Sequence, residues 1–177
     1  MRSFTMVSPM IWRSKRFKTL SKEAQLLFIY LLTCEHQTMA GAYRLPPEYG
    51  ASDMGWPIDA FKSALEEVSA SGLILFDEDS TEVMIDGWYR FHPPKGKSTI
   101  KGIENSLKRL ESEELYKAGM QAFEEALLAQ GEKNTLHQNE QHARLYPAQL
   151  NGMAPDKLLD RKRDMRLSQQ SHPMKGH

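Results

Sequence analysis

The chain contains one cysteine, Cys34, in 177 residues. A single thiol excludes an internal disulfide framework, and with no CxxC pair a zinc finger is excluded too. Long apolar runs are also missing: the longest, Leu26 to Leu32, falls far short of the roughly 20 residues that cross a bilayer. The opening residues, MRSFTMVSPMIW, lack an extended apolar stretch with a small-residue cleavage site, so no signal peptide is expected. Neither GxxxxGK[ST] nor GxGxxG occurs, which removes the familiar nucleotide-binding loops. Cys34 and His36 have no second ligand pair at metal-binding spacing, and His137 and His142 lie in a polar segment. The acidic run Asp77, Glu78, Asp79 and Glu82 lacks the spacing and central glycine of an EF-hand loop. These absences lead us to expect a cytoplasmic, non-enzymatic protein with no cofactor, metal or membrane partner.

What is present is charge, 26% of residues, with a mean hydropathy of -0.56. The formal total is zero, yet the distribution is uneven. Residues 1–30 carry six basic groups against one acidic, a net of +5, and residues 31–94 carry three against eleven, a net of −8. Residues 95–133 balance, and residues 134–177 return to +3. Screening beyond about 8 Å at physiological salt means that a partner senses these patches rather than the total.

Hydrophobic spacing gives the elements. Ser21 is a good N-cap for a helix in which Ala24, Leu27, Phe28, Leu31 and Leu32 follow core-facing spacing. Ala42 to Leu45 suits a short strand, and Pro46-Pro47 starts a short helix that runs to about Met54. Gly55 breaks it, and Pro57 starts a third helix with Phe61, Leu65 and Val68 on its inner side, ended by Gly72. Leu73 to Phe76 and Val83 to Trp88 are rich in β-formers and flank a polar turn, the pattern of a hairpin. Trp12, Trp56 and Trp88 are expected in the core, since large rings dominate burial in a small domain.

Three helices closed by a hairpin is the winged helix-turn-helix arrangement, whose third helix can enter a major groove. The stretches SPMIWRSKRFKTLSKEAQLLFIYLLT, GAYRLPPEYGASDMGW and ALEEVSASGLILFDED…VMIDGWYRFHPP extend this reading. They resemble the N-terminal winged-helix region of phage and prophage replication proteins, the replisome-organiser and DnaD-like initiators. The resemblance spans about Ser8 to Lys101 and rests on structural positions: Trp12, Leu20-Ser21, Gly41, Trp56, Gly72-Leu73-Ile74 and Trp88. It implies a mainly α (α+β) fold and a replication-associated role in binding duplex DNA.

On this reading residues 1–94 form the winged helix-turn-helix domain and 95–130 a Pro/Gly/Lys linker with a helical extension. That extension is either one bent helix or a helical hairpin, with Ile100, Ile103, Leu107 and Leu110 as one apolar stripe and Leu115, Tyr116, Met120, Phe123 and Leu127 as another, and Ser112 able to cap a new start; it packs on the domain or pairs with another subunit. Residues 131–177 form a flexible basic tail, mostly disordered for want of apolar area, with a short helix near 156–167.

The candidate DNA contacts are Arg13, Lys15, Arg16 and Lys18 ahead of the first long helix, Lys95, Lys97 and Lys101 after the hairpin, and Lys62 with Ser63 on the third helix. Against them stand Asp59, Glu66 and Glu67 on that helix and the acidic hairpin turn, which phosphates repel. The basic runs also suit a plain solvated surface; the resemblance favours contact. The alternatives are an interaction or self-association module using the acidic third helix and wing, and a prophage transcription regulator. In the first reading, the extension and tail recruit replication proteins or hold an oligomer.

Overall fold

The computed structural model describes residues 5–145, with side chains through residue 132. A 3-10 turn, Pro9–Arg13, leads into helix α1, Lys15–Lys18. Ser8 caps the turn and Ser14 caps the helix, each hydroxyl accepting from a backbone N–H two or three residues on. Then follow α2 (Lys22–Thr33), β1 (Ala42–Arg44), α3 (Pro47–Met54), α4 (Ile58–Ala70), β2 (Ile74–Asp77) and β3 (Glu82–Ile85). This is the order expected from the sequence. A four-residue helix α5 (Trp88–Phe91), α6 (Lys97–Leu107) and α7 (Glu113–Leu145) complete the described residues. The architecture is mainly helical, with one three-stranded antiparallel sheet in the order β1-β3-β2.

The second hairpin strand is shorter than expected. It stops at Ile85, because Gly87 takes a φ of 65° and turns the chain so that Trp88 opens α5. Two other expectations change. Trp12 is 62% exposed, touching Phe17 edge-on at 5.4 Å, while Phe17 itself is fully buried. Trp12 lies on the 3-10 turn, none of whose residues is buried, whereas Phe17 is the buried residue of α1. Trp56 is half-buried, and Trp88 lies in the core as expected.

The sheet is covered on both faces. Every residue of β3 is buried. Alternation puts Val83 and Ile85 on one face and Glu82 and Met84 on the other. Ile85 shares a cavity wall with Phe28 and Leu32 of α2. Glu82 meets the N-terminus of α7, and Met84 lies beside Gly119 of that helix. The helical extension therefore packs on the hairpin: Ile103, Leu107, Leu115 and Phe123 join the core, with the Phe123 ring 5.7 Å from that of Tyr89. The run Val-Met-Ile in β3 is the sequence trace of this double burial.

The segment after the hairpin also differs from the expected linker. Helix α6 starts at Lys97, so the lysine-rich stretch lies largely on its first turns. The extension is two helices, broken at 108–112. Helix α7 passes Gly131, where the sequence reading begins a disordered tail, and reaches Leu145. Residues 132–145 contain no proline or glycine and are rich in Glu, Gln, Lys, Ala and Leu, which favour helix. The expected short helix near 156–167 lies outside the described residues. Among those described, no helix is long and apolar enough to cross a membrane.

Candidate nucleic-acid interface

Helix α4 is built as its spacing demands. Pro57 precedes it, and Phe61, Ala64, Leu65 and Val68 are buried against α2 and α3. Gly50 of α3 makes the close approach possible, since a methyl group there would strike the Phe61 ring. The opposite side of α4 presents Asp59, Lys62, Ser63 and Glu66 to solvent.

Several carboxylates that seemed to oppose an anionic partner are engaged within the fold. Glu67 accepts from both the N–H and the hydroxyl of Ser21, at 2.6 and 2.7 Å, tying α4 to the start of α2. Ser21 in turn caps α2 at the Ala24 N–H. The Ser21 hydroxyl, and then its N–H, hold the Glu67 carboxyl below the usual carboxylate range. Glu82, 2% exposed, accepts from the N–H groups of Glu111 and Ser112 at 2.9–3.1 Å, which satisfies orphan donors at the start of α7. Asp77 accepts from the N–H groups of Asp79 and Ser80 and so closes the hairpin turn. The Ser112 hydroxyl, and then the Ser80 N–H, lower its carboxyl as well. Of the hairpin's four acidic side chains, Glu78 and Asp79 remain at the turn without such a partner role in α7 or the turn.

The basic candidates divide. Arg16 donates to the Gly72 carbonyl and to Asp86, the latter at 2.7 Å, so it fastens α1 to the end of α4 and the end of β3. Arg13, Lys15, Lys18 and Lys62 are exposed and make no ion pair among the described residues. Ser63 is exposed beside Lys62. Lys95, Lys97 and Lys101 are exposed too, but α6 packs on β1, whereas α4 leads into β2 at the other edge of the sheet. The α1 and α6 clusters are thus attached to different parts of the fold. At 1.5 Å rise per residue, Lys62 lies roughly 15 Å along the α4 axis from the Gly72 end where α1 is fastened.

Cys34 and His36 take structural places. Burial pushes the Cys34 thiol up, and His36 stacks on Tyr49 with its Nε2 3.7 Å from Asp53. The Tyr30 hydroxyl donates to the same Asp53 at 2.6 Å, joining α2 to α3. Sequence reasoning missed a further group: Arg90 and Phe91 of α5, which face the 3-10 turn across a cleft. Their only sequence signal was a basic-aromatic pair beyond the hairpin. No family model, curated protein or solved structure matches this chain.

The Glu67 contact has a pH signature. A carboxyl with a lowered folded-state pKa stabilises above its unfolded value near pH 4.3, and the contribution is lost as pH falls through the folded value. Urea midpoints measured between pH 6 and pH 3 should therefore fall less steeply for Glu67→Gln than for the parent. Parallel curves would show that the Ser21 contact contributes nothing.

Proposed function

We propose that residues 1–94 form a winged helix that binds duplex DNA, with α4 as the groove-facing helix, in a replication-associated protein of phage or prophage origin. The observation that carries this reading is the fate of the opposing carboxylates. Glu67, Asp77 and Glu82 are held in internal hydrogen bonds, although Asp59, Glu66, Glu78 and Asp79 stay exposed, while Arg13, Lys15, Lys18 and Lys62 are exposed and make no ion pair among the described residues. On this reading Lys62 and Ser63, exposed in the N-terminal half of α4, meet base edges. The cations near α1, fastened at the Gly72 end roughly 15 Å along α4 from Lys62, meet phosphate. Arg16 holds α1 in position. Lys95, Lys97 and Lys101, exposed on the α6 side and attached to a different part of the fold, stand outside this contact set. The same engagement of Glu67 and Glu82 weighs against a self-association face built on an acidic α4 and wing.

Binding should depend steeply on salt. Four phosphate or base contacts from Arg13, Lys15, Lys18 and Lys62 give a slope of log K against log[salt] of about −4, at roughly −0.9 per neutralised phosphate. Fluorescence anisotropy on a duplex fragment at several salt concentrations measures it. Replacing Arg13, Lys15 and Lys18 by Ala should flatten the slope to about −1. A steeper parent slope near −6 would bring the α6 lysines onto the duplex as well. No binding to any duplex at low salt would overturn the proposal. Sequencing fragments of the parent genome selected by the protein then separates an origin from a promoter, the regulator alternative.

A further inference from the structure

A cleft of about 350 Å³ opens between the N-terminal segment and α5, and its volume falls among the smaller ligand pockets. Its floor is core: Phe28, Leu32, Ile85 and Trp88. Its mouth is apolar but uncovered, with Met6 68%, Met10 55% and Phe91 50% exposed. Three large apolar side chains open to water around one concavity are the mark of an interaction site rather than of scattered surface residues. Two of them are methionines, whose flexible thioethers adapt to varied side chains.

The rim is cationic. Arg13 and Arg90 line the cleft and make no ion pair among the described residues. The Arg90 guanidinium sits 5.8 Å from the centre of the Phe91 ring, which keeps it at the mouth. The one acidic side chain in the lining, Asp86, is already neutralised by Arg16 at 2.7 Å. We propose that this cleft docks an acidic peptide segment of a partner protein, with bulky apolar side chains on the floor and carboxylates gripped by Arg13 and Arg90.

Charge selects this occupant. Arginine forks bind carboxylates in paired hydrogen bonds, and arginine, methionine and aromatic residues are enriched in protein interfaces. The chain's own residues 134–177 carry a net +3 and do not complement the rim, and the acidic stretch of a second copy, residues 31–94 at −8, is folded into helices and sheet rather than offered as an extended peptide. Nucleic acid fits less well, because the exposed ring best suited to base stacking, Trp12, is not part of the cleft lining. This docking and the proposed duplex contact share Arg13, so the test below turns on Arg90, Phe91 and Met10, which the duplex contact set does not include.

The test is fluorescence anisotropy of the full chain with a labelled twelve-residue peptide of Asp and Glu bearing two Phe and one Leu. A copy with Lys in place of every acid and a (dT)12 oligonucleotide serve as comparison probes. Saturable binding of the acidic peptide is expected, at least tenfold tighter than the Lys copy. It should weaken at least tenfold in Arg90→Glu and in Phe91→Ser, and stay unchanged in Lys62→Glu. Arg90 and Phe91 are exposed, so both variants should keep the parent melting curve by circular dichroism. Met10→Ser, on the opposite wall, is a second check with the same expected loss. Duplex binding by Phe91→Ser should equal the parent's, which separates failure at the cleft from failure at α4. No saturation, equal binding of the Lys copy, or insensitivity to all three cleft variants would overturn the proposal. So would preferential binding of (dT)12 that Phe91→Ser abolishes, which would make the cleft a nucleic-acid site.

Discussion

Gly41→Ala is expected to destabilise the folded protein by about 3 kcal/mol, a fall in melting temperature of about 10 °C for a domain of this size. Two effects add. Gly41 has a φ of 71°, in the left-handed region where an L side chain costs ~1–2 kcal/mol. A methyl group there would also drive into the Trp88 indole, which is buried, donates its Nε1–H to the Met39 carbonyl and stacks on His92. The Gly41 carbonyl meanwhile accepts from the Ile85 N–H, so the backbone has little freedom to retreat. Gly55 offers the matched control. It has a φ of 66° but nothing near its missing side chain, so Gly55→Ala should cost only the backbone part, about 1 kcal/mol. Urea denaturation of the two variants side by side decides the matter. Equal losses would show that the Trp88 contact contributes nothing.

Glu82→Ala should be nearly as costly, again about 3 kcal/mol. The carboxylate is buried between the sheet and α7, and its removal leaves the N–H groups of Glu111 and Ser112 without an acceptor, beside a cavity. The buried Ser112 N–H, once stranded, accounts for ~1–3 kcal/mol, and the lost charge-assisted bond from the more exposed Glu111 N–H for about 1 kcal/mol. Glu82→Gln keeps an acceptor oxygen and should lose only about half as much. Because α7 is anchored through this contact, amide hydrogen exchange in 113–123 should quicken more than in α2. Uniform acceleration across both helices would instead show that α7 unfolds only with the whole domain.

These two sites differ in how visible they are from the chain alone. Gly41 was among the positions that carried the family resemblance, and a glycine before a short strand suggests a tight turn. Nothing local indicated that Trp88 would lie against it, 47 residues on, because that meeting depends on the Asp86-Gly87 turn that ends β3. The role of Glu82 is hidden from the local sequence for a similar reason. In a hairpin seen by itself, an acidic residue next to a polar turn belongs to solvent. Burial of both sheet faces, by helices that follow in the sequence, makes it an internal cap.

The sequence alone determined α2, α3 and α4 and their inner faces, because apolar spacing, the Ser21 cap, the Pro47 and Pro57 starts and the glycine stops act within a few residues of one another. It also determined the stock of exposed basic groups. Which charges are free to meet a partner was decided only by tertiary structure. Arg16 is consumed by Gly72 and Asp86, Glu67 by Ser21 and Glu82 by α7, while Arg90 and Phe91 are brought to face the N-terminal segment. An ion's availability depends on the hydrogen-bond partners folding brings to it, and those partners come from 29 to 70 residues away.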